Sequence, residues 1–193
     1  MHLTPPTQAR RTTPRALLVA GLLAALSGVG SAVEAQQLHT FTASASGIIG
    51  GPFDADGEDP GLDQTGFQLA FSWSTWDNTR VGVRAARLAF SDELVDDVFD
   101  PDLTFVTIAG EYHFNESFYR SGLYLGLGLY QMEGLVGAET QDDTAIGLVL
   151  GATGDFPMTD RLSIIVEISG HYADLDLGAR FFGFLTAGLA FHF

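Results

Sequence analysis

The sequence predicts an all-β chain: eight antiparallel strands closed into one up-and-down, membrane-spanning β-barrel, preceded by a cleaved signal peptide. Three observations lead there. From residue 39 onward, apolar residues recur at every second position, and no helical 3.6 period is found. The connections between these segments alternate in character, short turns on one side and acidic, longer loops on the other. The composition joins 46% hydrophobic residues to a formal charge of −15, so apolar and charged residues must be segregated along the chain.

The chain opens on an address. Arg10, Arg11 and Arg15 precede an apolar run from Ala16 to Leu26, and small residues follow up to Ala35. A positive start, a short apolar core and a small-x-small site make a secretory signal peptide. Cleavage after Ala35 leaves a single domain of residues 36–193. The apolar run is short for a spanning helix, and with no Cys in the chain lipoprotein processing is excluded.

The strands follow in order. Residues 39–48 form a weak first member. Phe67, Leu69, Phe71 and Trp73 share one face of the second, against Gln68, Ala70, Ser72 and Ser74. Segments 80–90 and 104–114 are the third and fourth. Leu123, Leu125, Leu127 and Leu129 alternate with Tyr124, Gly126, Gly128 and Tyr130 in the fifth. Segment 144–154 is the sixth. Leu162, Ile164, Val166 and Ile168 mark the seventh; Leu185, Ala187, Leu189, Phe191 and Phe193 mark the eighth. Each is about the 9–11 residues that cross a bilayer when tilted. Turns are expected near 76–79, 115–121 and 155–160, and loops near 49–64, 91–102, 134–143 and 174–180. Those four loops hold 16 of the 23 acids after residue 35. Aromatics gather beside the short turns (Trp73, Trp76, Tyr112, Phe114, Phe156, Phe191 among them), as at a membrane interface. A soluble barrel would point its apolar face inward and carry charges outside. Here the second face is rich in Gly, Ala and Ser, which suits a narrow lumen.

Taken together, the signal peptide, the eight period-2 strands and the terminal Phe resemble the small outer-membrane β-barrel proteins, of the OmpX and OmpA-barrel kind. The resemblance covers residues 38–193. It implies that Leu185, Leu189, Phe191 and Phe193 form the signal read by the barrel-assembly machinery, with outer-membrane lipid and lipopolysaccharide as surroundings. It also implies periplasmic termini and extracellular acidic loops. Phe193 falls inside a strand, so no soluble domain is expected after the barrel.

With the apolar set facing lipid, the inward set includes Arg80, Arg84, Glu111, His113, Arg161, Glu167, His171 and His192. Arg80, Arg84, Glu111, Arg161 and Glu167 are candidates for a lumen ion-pair network, with Arg84 and Glu111 meeting on neighbouring strands. A bulge near Ala85-Ala86 is expected, to reconcile inward Arg84 with Leu88 and Phe90. The acidic run Asp54, Asp56, Glu58, Asp59 and Asp63 suits weak Ca²⁺ or Mg²⁺ binding, because hard cations take carboxylate oxygens. It lacks EF-hand spacing, and the bland reading is a solvated loop. The acid excess argues against nucleic acid as partner. No cofactor is implied, and the histidines are too far apart for a metal centre.

Enzyme chemistry finds little. Eight-stranded lipid A deacylases use a Ser/His/Glu triad with Ser two residues after His; here that position is Ala173. The nearest set, Glu167, Ser169 and His171, lies on one strand face, where alternate residues stand about 6.5–7 Å apart. The expectation is therefore a non-enzymatic, structural or surface-exposed barrel with a filled lumen. The alternatives are a narrow channel for small or apolar solutes and, behind it, a lipid-modifying enzyme.

Overall fold

The computed structural model describes residues 41–53, 64–76, 78–90, 98–115, 119–137, 139–176 and 180–193. The signal peptide and the acidic run from Asp54 to Asp63 lie outside the described residues, as does His39. Eight strands form: β1 (Phe41–Pro52), β2 (Gln64–Trp76), β3 (Thr79–Ala89), β4 (Val98–Asn115), β5 (Arg120–Val136), β6 (Glu139–Pro157), β7 (Leu162–Ala173) and β8 (Phe181–His192). They close into one barrel in sequence order, every neighbouring pair antiparallel, with β1 meeting β8. Closure satisfies the backbone groups of both edge strands, which is what a sheet in hydrocarbon requires.

Alternation decides which way each side chain points. Leu125 and Ile168, each 63% exposed, belong to an outward apolar set that also includes Leu69, Leu127, Leu150 and Leu189. At the short-turn end this band is rimmed by ring pairs: Phe41–Phe71, Tyr112–Phe114, Tyr119–Phe156 and Phe191–Phe193. At the other end Tyr172 packs on Phe181. The turn after β6 is held by Thr159, whose hydroxyl accepts from the Leu162 amide at 3.0 Å while Met158 N donates to the Leu162 carbonyl at 2.9 Å.

Two expectations fail here. No bulge occurs at Ala85-Ala86: β3 stays in register with β2 and β4 there. Leu88 and Phe90 simply follow Arg84 into the lumen, because the interior changes from polar to apolar along its length. Register shifts occur instead between Ser74 and Trp76 and between Phe99 and Asp102. Second, residues 134–143, expected as a loop, are mostly strand. β5 and β6 stay paired past the apolar band, Glu133 opposite Asp142 and Leu135 opposite Thr140, up to a turn at Gly137 with φ +62°. Backbone pairing needs no apolar alternation once both faces meet water, so the sequence pattern fades before the strand does. β4, β5 and β6 accordingly run 18, 17 and 19 residues, against 11 to 13 in the other five.

Candidate functional site

The interior has two tiers. Nearer the short turns it is polar, and Arg84 of β3 is its centre, 6% exposed. Its Nε donates to Glu167 Oε2 across the lumen at 2.9 Å, and its Nη2 reaches Glu111 Oε2 on the adjacent strand at 3.5 Å. The guanidinium carbon stands 3.9 Å above the Tyr124 ring centroid. Gln68 Nε2 donates to the other Glu167 oxygen at 3.2 Å, and the Thr153 hydroxyl donates to Glu111 Oε1. One guanidinium therefore sits between two carboxylates that are themselves hydrogen-bonded, the condition under which buried charge is tolerated. His113 Nε2 lies 3.6 Å from Glu111, and Arg120 donates to Asp155 at 2.7 Å. Arg80 lines the same space, whose free volume is about 30 Å³, room for a water or two.

Above it lies an apolar tier of Ile48, Leu88, Phe90, Leu103, Met132 and Phe182, among others. Phe105 stacks on Phe184 with centroids 5.6 Å apart and meets Tyr130 at 5.5 Å. His171 is set among these rings, 4.8 Å from Phe105 and 4.9 Å from Phe184. Its nitrogens meet the Tyr130 hydroxyl at 2.8 Å and the Ser169 hydroxyl at 2.9 Å. Leu175, just past β7, is buried in the same cluster.

Glycines make room for the tyrosines. A Cβ on Gly151 would run into the Tyr124 ring, which lies across it from the paired strand. Gly128 and Gly147 do the same for Tyr130. The Gly-rich face of β5 and β6 is thus a mould for two rings rather than a sign of an empty lumen.

The structure brings Arg84, Glu111 and Glu167 into one network and puts Arg80 beside it. Arg161 does not join them. It lies in the turn before β7 and is exposed, because the strand begins one residue later than the alternation suggested. Tyr124, Gln68, Thr153 and Asp155 are members that the sequence reading did not single out, although each has inward parity. The spacing argument about Ser169 and His171 is also corrected: their side chains lean together and touch, although their Cα atoms are two positions apart on a strand. Glu167 is committed to Arg84 and Gln68, however, and Phe105 and Phe184 cover the imidazole. The set offers no acid on His171 and no face to a substrate. His113 and His192 lie in the polar tier and His171 in the apolar one. Among the described residues the outer rim carries Arg87, which donates to Asp102 at 2.6 Å.

No protein-family model and no curated protein matches the chain. Solved structures do. Neisserial surface protein A aligns with a TM-score of 0.66 at 16% identity, over 79% of this chain and 97% of that one. The N-terminal β-barrel domain of OprF from Pseudomonas aeruginosa gives 0.59 at 12%, over 82% and 100%. Ail, the attachment invasion locus protein of Yersinia pestis, gives 0.56 at 16%, over 81% and 100%. At such identities the likeness is one of fold, and that fold is the small eight-stranded outer-membrane barrel.

Proposed function

Starting from a chain with the fold of small outer-membrane barrels, we propose that it is an integral outer-membrane protein with a structural or surface-exposed, non-enzymatic role. The observation that carries this reading is the filled lumen. A barrel of eight strands is just wide enough for side chains to fill. Here an ion-paired tier and an aromatic tier occupy it in series, and the pocket within the ion-paired tier has about 30 Å³ of free volume. The outward apolar band supports residence in lipid, with lipopolysaccharide as the outer-leaflet partner. Short turns and both termini then face the periplasm, and the acidic loops face outward, where the run Asp54 to Asp63 takes up Ca²⁺ or Mg²⁺ weakly.

Reconstitution into planar bilayers tests the role. Silent membranes are expected; stable, reproducible channels would replace the structural reading with that of a narrow channel for small solutes. Lipid A mass spectra from cells with and without the protein test the enzyme alternative. Identical acylation is expected, and a lost or added acyl chain would make the protein a lipid-modifying enzyme.

A further inference from the structure

A closed barrel of eight strands in sequence order has eight junctions, and loops bridge seven of them. The eighth, between β1 and β8, is held by no connecting segment. Opening there requires no hairpin to come apart, so this seam is where the ring yields most readily. Its backbone register runs from Thr42 opposite His192 to Pro52 opposite Phe182. On the lipid side β1 contributes Ala43, Ala45 and Gly47 opposite Phe191, Leu189 and Ala187, and a pair of large residues meets only further along, Ile49 opposite Leu185.

On the lumen side the apolar half of the seam is packed by Ile48 of β1 with Phe182 and Phe184 of β8, and in the polar half one ring spans it. His192 is 2% exposed, with Nδ1 3.0 Å from the Thr42 hydroxyl on β1. Its Nε2 lies 2.8 Å from the Ser163 hydroxyl on β7 and 3.8 Å from Asp155 Oδ2 on β6. Among the described residues no other side-chain hydrogen bond joins β8 to β1. The next inward pair along the seam is Ser44 opposite Ala190, too small to replace these contacts by packing.

We propose that His192 is a seam latch: a positioning residue that ties the last strand to the first, braced from behind by β7 and β6, and thereby sets the lifetime of the closed barrel. The neighbouring outward residues Phe191 and Phe193 face lipid, so the strand's two faces serve different ends.

The test follows the folded form by its unheated gel mobility in detergent at raised temperature. His192→Ala is expected to shorten its lifetime roughly tenfold, equivalent to about 1.4 kcal/mol. The chain has no Cys, so engineered disulfides stand alone. In the His192→Ala background, Ala45→Cys with Leu189→Cys, opposed across the seam, is expected to restore the lifetime. Val106→Cys with Leu129→Cys, opposed across β4 and β5, is expected not to. An unchanged lifetime, or equal rescue by both disulfides, would overturn the latch. Where His192→Ala fails to fold, Thr42→Val removes only the β1 contact. A lifetime about threefold shorter is then expected, and an unchanged one overturns the proposal.

Discussion

Arg84 shows what a single buried charge demands of its neighbours. Its removal takes away the cation that Glu111 and Glu167 share, and breaking a buried pair costs about 3–5 kcal/mol. Arg84→Met is therefore expected to destabilise the barrel by that amount in denaturant unfolding from lipid vesicles. Adding Glu167→Gln is expected to recover part of the loss. Gly151→Ala drives a methyl into the Tyr124 ring, an overpacking worth about 1–3 kcal/mol. The same change in a Tyr124→Leu background is expected to be close to neutral, measured in the same unfolding experiment. The Arg84–Glu111 contact was legible in the sequence, because parity and adjacency bring the two together. The stronger bond to Glu167 was not. Which strand faces which across a barrel depends on tilt and stagger, and one sequence does not state them. Arg161 was misplaced for a local reason: parity says nothing about where a strand begins.

At the scale of the strand, alternation was the reliable guide. In β2, β5, β7 and β8 the apolar residues at every second position do face outward. Substitution measures what that face meets. Leu125→Arg sits in the apolar band and is expected to cost about 2–4 kcal/mol, as charge near a bilayer midplane does. Thr140→Arg, on the part of β6 beyond the band, is expected to stay within about 0.5 kcal/mol. Equilibrium unfolding in vesicles checks both, and equal effects would mean that the band is not a lipid contact. The long ends of β4, β5 and β6 escaped the sequence reading because acids and glycines there give no periodic signal, while backbone hydrogen bonds continue regardless of side chain. The supposed bulge in β3 arose from treating every apolar residue as outward.

For the whole molecule, the eight strands, their order and their closure were legible; the apolar tier was not. Leu88, Phe105, Met132 and Phe184 share parity with Arg84 and Glu111, so one face of each strand carries two kinds of residue at different heights. Composition by face blends them. The tier has a measurable consequence for permeation. Phe105→Ala combined with Phe184→Ala removes a stacked pair from the upper lumen, and bilayer recordings are expected to show leak currents absent from the unaltered protein. Silence in both would assign the barrier to the ion-paired tier instead.

The extended β6 has a further consequence, an electrical one. Its pairing with β7 stops at Gly147, opposite Ala173, yet the strand continues back to Glu139. Eight residues of strand span about 26 Å, or about 20 Å of height at the usual barrel tilt. The Debye length at physiological ionic strength is about 8 Å. The carboxylate of Glu139 therefore stands more than two screening lengths above the rim. Its field is felt by whatever approaches through the solution, and the charged lipid headgroups below hardly sense it.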